Sequence, residues 1–411
     1  MAETSTNILL QHESISPSNS VKKLGGLLVS IVLLAPLPWM ALIIAVGLIW
    51  DQAWLRFRKT AAADQIGNVL ARLATKVARG MMKDERDAPY LYSLFGIGVY
   101  TPALFAGCLY WQLQYGDAAG WWTAVLVAFA YHVLMMGPYF RFFAYISTLV
   151  HKEGHAPRGL FKDSFRIFNK AFGWFLGPFY GHVPEAYPLG HLRIHHKHDN
   201  GPEDVTSTLE IDRSQPSQWL VYLRQFTLYW TGISIVSYFA RRRQWPQVRK
   251  MSAGMFFYYG AMATFMLIDP WFGFAYFMLP HLCVIIYLAA INYTWHTFSE
   301  PGDPENEYVN SVTILNGHYN VFNEDYHVTH HQRPQLHWTQ VPQDFEKNLA
   351  HYRDNRASLF TDTQEFEMFT WIMMKRFDLL AQHFVDLSGE LSEDEKIALL
   401  VRRMKPAIQA S

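Results

Sequence analysis

Cysteine is scarce in this chain, two residues in 411, and charge is sparse as well, at 17%. Cys108 and Cys283 are too few for a disulfide framework, an iron-sulfur cluster or a built-in rubredoxin-like carrier, and both read as buried thiols in apolar stretches. The 35 basic side chains are balanced by 35 acidic ones, so the basic excess of a nucleic-acid binder is missing. Also missing are a GxSxG nucleophile elbow, a Walker loop, a GxGxxG fingerprint, an HExxH zinc-protease motif and an HPGG haem-binding segment. Nucleotide-driven and hydrolytic mechanisms therefore lack support. What is abundant is apolar surface, 50% hydrophobic and 16% aromatic residues. Soluble domains are about a quarter charged, so this composition excludes disorder and points to a protein embedded in lipid.

Long uncharged runs give that surface a layout. Residues 1–23 read as a disordered tail without a secretory cleavage site. The hydrophobic segment 24–50 carries no charge and exceeds the roughly 20 residues a bilayer requires. Pro36 and Pro38 interrupt it, leaving either one kinked span or a hairpin in one leaflet. A linker, 51–89, holds eight Lys or Arg. Two hairpins follow, 90–113 with 120–147 and 252–268 with 271–293, about four spans in all. Basic flanks at their open ends, among them Arg241, Arg242, Arg243, Arg249 and Lys250, place those ends in the cytoplasm by the positive-inside rule. Segments 160–180 and 219–240 are apolar but interrupted by charge, as interfacial segments are. The division expected is a membrane and histidine-bearing domain over 90–340 and a soluble helical part over 341–411. The fold class is an all-α integral membrane protein, with a cytoplasmic helical cap over the site.

Histidine is the unusual residue: 14 of the 18 fall between His151 and His337. His151 and His155 form HxxxH. His191, His195 and His196 form HxxxHH, and His327, His330 and His331 form HxxHH. His296 stands alone after the last span, four residues past Asn292. On a helix, positions i, i+3 and i+4 share a face, while adjacent residues diverge by about 100° and can serve neighbouring metals. Nine imidazoles overfill one four-ligand site and suit two metals. Neutral nitrogen ligands leave bound cations strongly electrophilic, although imidazole alone does not choose among iron, zinc and copper.

The ordered set HKEGH, HLRIHH, NYTWH and HVTHH resembles the membrane fatty-acid desaturase and alkane monooxygenase superfamily. That resemblance implies two non-haem irons held by the nine histidines, with no catalytic side chain beyond the metal centre. It also implies a possible water-mediated contact from Asn292, dioxygen as co-substrate and a lipid or fatty acyl substrate. Electrons would come from a separate ferredoxin, rubredoxin or cytochrome served by a reductase. The HxxxHH spacing and the NYxxH context are closer to alkane monooxygenases, whereas KHDNGPEDVTSTLEIDR resembles bacterial fatty-acid desaturases.

The reading that follows is a multi-pass membrane oxidoreductase that desaturates an acyl chain. Hydroxylation, or oxidative decarboxylation to a terminal alkene, is the alternative within the same chemistry. A membrane metal transporter is the alternative from another class, and a membrane zinc hydrolase is a third. Among the remaining residues, His182, His198, His318 and His337 read as polar surface, and His132 and His281 as neutral packing positions inside spans. Glu153, Asp199, Glu203, Asp204, Glu324 and Asp325 are candidates to hold the outer nitrogen of a ligating imidazole, with solvated charge as the competing reading of each.

Overall fold

Apolar length explains most of the architecture. The computed structural model describes residues 29–408, so the tail expected at 1–23 lies outside it. Helix accounts for 73% of the structure. Among the described residues, four helical stretches are long and apolar enough to cross a bilayer: Val29–Arg58, Glu85–Ala119, Trp245–Ile268 and Pro270–Trp295. Contacts divide the chain into Met1–Ala35 and one unit from Pro36 onward. Helix α1 (Leu37–Arg58) begins at Pro36, where a proline costs nothing because first-turn N–H groups lack intrahelical partners.

Helix α2 (Ala61–Met81) starts at Thr60, whose hydroxyl accepts from the Ala63 N–H. Its Ile66, Val69, Leu70, Leu73 and Val77 are exposed at helical spacing, the pattern of a helix lying in the membrane interface. Helices α3 (Gly98–Ala119) and α4 (Trp121–Met136) meet at Gly120, where φ is 77°. The span expected over 120–147 is bent. Helix α4 ends at Gly137, and α5 (Arg141–His155) leaves at an angle of 62°. Positive φ at Gly137 and Phe140, with Pro138 between them, breaks the hydrogen-bond ladder there.

Helices α6 (Pro216–Trp230) and α7 (Ile233–Arg241) are separated by Gly232, at φ 90°, and neither is long and apolar enough to span. Helix α8 (Trp245–Ile268) turns into α9 (Leu279–Trp295) at Asp269. The Asp269 carboxylate accepts from the Phe272 N–H at 2.8 Å and from Gln112 of α3 at 2.9 Å, joining the tips of the two expected hairpins.

Beyond α9 the chain is shorter-ranged. Strands β1 (Thr313–Leu315) and β2 (Leu359–Thr361) pair in parallel, with Thr313 opposite Leu359. Helix α10 (His327–Gln332) follows, and its Val328 packs against Phe345, Tyr352, Ala357 and Leu359. Helix α11 (Glu365–Met373) lies along α9, with Phe366 against Tyr287. Helix α12 (Glu393–Arg403) opens on a capping box of Ser392 and Glu395. Fully buried Arg213 donates to the carbonyls of Thr208, Arg403 and Lys405 and to the Ser299 hydroxyl. It fastens the end of α12 beneath the histidines.

Candidate metal centre

Each histidine box is placed by a different local geometry. His151 and His155 stand one turn apart at the end of α5, with their Nε2 atoms 3.0 Å apart. The second box departs from α-helical expectation. Tyr187–His195 forms wide turns, and the His196 N–H reaches back to the carbonyl of His191, five residues earlier. In such i→i+5 turns the residues that share a face lie five apart. His191 therefore pairs with His196, their Nε2 atoms 2.9 Å apart, while His195 faces elsewhere. In α10, His327 and His331 share a face at 3.1 Å and adjacent His330 diverges from His331, as the spacing predicts, but His330 joins the other group rather than sharing the face of His327.

The nine histidines gather into two groups. His151, His155, His191, His196 and His330 form one, and His195, His296, His327 and His331 the other. Within each group the nitrogens lie within 4.8 Å of one another. Asn292 belongs to neither: its amide donates to the Tyr222 hydroxyl at 2.6 Å. Burial first, then the neighbouring imidazoles, push His191, His196, His327 and His330 far below the ordinary histidine range. These rings are neutral, as metal binding requires.

The outer nitrogens decide what the inner ones can do. His195 Nδ1 lies 2.6 Å from Asp204, and His296 Nδ1 lies 2.8 Å from the Asn310 carbonyl. A carbonyl only accepts, so His296 carries its proton on Nδ1. Asp204 stays ionised: burial pushes its carboxyl up, but His195 and the Thr206 N–H and hydroxyl hold it at about 2. His195 likewise keeps its proton on Nδ1. The two Nε2 atoms then face each other 3.1 Å apart, an arrangement that repels unless a metal ion or a proton lies between them. Two metal–nitrogen bonds of about 2.1 Å meeting at about 90° place their nitrogens about 3.0 Å apart. The donor set therefore fits metal ions. Two more carboxylates lie close behind histidines, Glu324 at 3.0 Å from His151 Nδ1 and Asp199 at 2.7 Å from His331 Nδ1. Burial raises the Glu324 carboxyl, but Lys152 and His151 bring it well below the usual range.

A cavity of about 370 Å³ reaches the first group at His151 and His191. Its walls are mostly apolar and aromatic, with Met135, Phe143, Phe179, Tyr180, Trp230 and Tyr287 prominent. Tyr187 stacks on His151, with ring centres 5.3 Å apart, and Trp295 stacks on His327 at 4.0 Å. Its polar lining includes Tyr319, Glu324, Asp325, Gln364 and Glu365, the last at the start of α11.

The fatty acid desaturase family model matches residues 130–363, more than half of the 411. The chain belongs to the fatty acid desaturase family. No curated protein and no solved structure matches it. The desaturase family is membrane-bound and known for using two irons, and the two histidine groups are compatible with that use. Membership makes this desaturase-family chain an oxidoreductase of the desaturase or hydroxylase type, acting on lipid or acyl substrates.

Other candidates sort by contact. Of the six acidic residues singled out in the sequence, Asp199, Asp204 and Glu324 stand behind histidines. Glu153 instead accepts from the N–H groups of Phe172 and Gly173, and Glu203 pairs with Arg242 at the surface. His182, expected at the surface, is buried against Ser147, and His198 bonds the Tyr238 hydroxyl. His337 bonds Asp87, and His318 is exposed. His132 and His281 are hydrogen-bonded packing positions, held by Trp39 and by the Gly181 carbonyl with Tyr259. Sequence reasoning missed Tyr187, Trp295, Gln364 and Glu365, because no local pattern marks a residue that meets the cavity only after folding.

Proposed function

We propose that this protein is a membrane di-iron oxidase that desaturates a fatty acyl chain, with the nine histidines as iron ligands. The observation that carries the reading is the approach of the His195 and His296 Nε2 atoms to 3.1 Å, with similar Nε2 approaches in both groups and an apolar cavity beside the first. The bound irons would supply activation of dioxygen, with electrons from a separate donor protein of ferredoxin, rubredoxin or cytochrome type. The chain's own residues do the rest. Asp204 and the Asn310 carbonyl hold protons on the outer nitrogens of His195 and His296, so the inner ones stay free to ligate, and Glu324 and Asp199 stand behind His151 and His331. The cavity walls hold the acyl chain beside His151 and His191, exclude water and fix which C–H bond lies nearest the centre. Division of the chain at 51–89, 90–340 and 341–411, with the last part as a cytoplasmic cap, belongs to the same proposal. So does a cytoplasmic active site, supported by the basic flanks of the spans.

Hydroxylation remains the second reading, favoured by the HxxxHH spacing and the NYxxH context. The test is mass-spectrometric lipid profiling of cells that express the wild type beside cells that express His330→Ala. A histidine-dependent product lighter by one H2 supports desaturation, and one heavier by one oxygen atom supports hydroxylation. Dioxygen uptake by membranes given a reductant separates both from metal transport. Oxidase activity retained in both His196→Ala and His330→Ala would overturn the proposal.

A further inference from the structure

Helix α2 presents an apolar stripe to the outside and a row of cations along its edge. Ile66, Val69, Leu70, Leu73 and Val77 are between 42% and 56% exposed. At about 100° per residue they fall on one face. Buried Ala74 and Ala78 hold one flank of that stripe against the protein, and exposed Arg72 and Lys76 run along the other. Between residues 52 and 83 the chain has seven Lys or Arg and one acid, Asp64. Arg79 is matched by Glu85 at 2.6 Å, and Lys83 donates to the Arg158 carbonyl. The remaining five, Arg56, Arg58, Lys59, Arg72 and Lys76, are exposed. Among the described residues their side chains form no ion pair or hydrogen bond.

Position decides what this face meets. The stretch Val29–Arg58 is long enough to cross a bilayer, and its last turn carries Arg56 and Arg58, so it ends among the headgroups. Thr60 then breaks the helix with an extended backbone, φ −89° and ψ 145°, and α2 starts at that depth. Its far end is tied to the segment just beyond His155: the Lys83 N–H donates to the Leu160 carbonyl, and the Lys162 N–H donates to the Met81 carbonyl. In that plane an apolar stripe meets acyl chains and a cationic edge meets headgroups. A zwitterionic surface leaves the five cations without a counter-charge, whereas an anionic one strengthens partition about fivefold for each Lys or Arg near it. We propose that α2 docks on anionic phospholipids of the leaflet nearest the histidines, with its apolar stripe among the acyl chains. Arg72 and Lys76, together with Arg56, Arg58 and Lys59 at the end of α1, take the charged headgroups.

The test uses the full chain in nanodiscs of phosphatidylcholine, alone or with about 30% phosphatidylglycerol, and follows amide hydrogen exchange by mass spectrometry. Exchange over 61–81 is expected to be about tenfold slower in the anionic discs, with the difference lost in about 0.5 M salt. The double variant Arg72→Gln with Lys76→Gln should cut the difference to about threefold or less. The charge-conserving pair Arg72→Lys with Lys76→Arg should keep it, which separates charge from helix structure. Both sites are exposed, and exchange in α9 reports whether each variant is folded. Equal protection in the two lipids, as a second copy of the chain or another of its segments on this face would give, would overturn the proposal. So would a lipid difference that survives the double Gln variant unchanged.

Discussion

Asp204→Asn is the sharpest probe of the centre because it changes one proton and little shape. In the wild type Asp204 Oδ2 lies 2.6 Å from His195 Nδ1, while Oδ1 accepts from the Thr206 N–H and hydroxyl, each at 2.9 Å. An asparagine keeps Oδ1 on Thr206 and turns an NH2 toward His195. Two donors cannot face each other, so His195 moves its proton to Nε2, the atom that faces His296 at 3.1 Å. A protonated Nε2 is no ligand. Loss of the carboxylate behind a ligating histidine costs about 10–100-fold in metal affinity, or about 1.4–2.7 kcal/mol. The assay is iron stoichiometry by mass spectrometry along a chelator titration, with thermal unfolding followed on the same samples. Because the Thr206 bonds survive, the apo protein should melt within about 1 kcal/mol of wild type while iron retention drops. Unchanged iron retention in Asp204→Asn would refute the tautomer argument, whereas equal loss of folding and metal would show that Asp204 acts on the scaffold.

Three further outcomes follow from the same contacts. His196→Ala and His327→Ala remove one ligand from each group, and each should lower turnover at least about 100-fold with loss of iron; activity and metal content measured together check this. Leu359→Ala empties a 1% exposed position in the cluster behind α10, so it should cost about 2–5 kcal/mol in denaturant unfolding. Iron content should stay near wild type below the transition. Arg213→Met leaves the carbonyls of Thr208, Arg403 and Lys405 without their donor. At about 1–3 kcal/mol for each buried group, α12 should detach first, visible as faster proteolysis near residue 400.

Much of the centre is legible in sequence because its histidines cluster in short motifs whose spacing mirrors helical geometry. HxxxH at His151 and His155, and the His327 and His331 pair of HxxHH, behave as α-helical periodicity requires. HxxxHH does not, because wide turns before His196 pair it with His191, and no residue pattern announces such turns. The apolar runs likewise locate the spans, yet the bend at Gly137–Phe140 depends on backbone angles that hydropathy ignores. Among the acids, Asp204 and Glu203 are neighbours in sequence with opposite fates. One is sealed against His195 and the other lies on the surface with Arg242. Only tertiary packing separates them.

The fastening of α12 by Arg213 has a consequence in time. The histidines span positions 151 to 331, but the carbonyls that complete the Arg213 knot belong to residues 403 and 405. From that knot Thr208 reaches the His296 carbonyl. A chain growing from the ribosome can insert its spans and expose all nine imidazoles well before residue 405 emerges. The knot behind the His296 carbonyl therefore gains its last acceptors only once residues 403 and 405 have emerged.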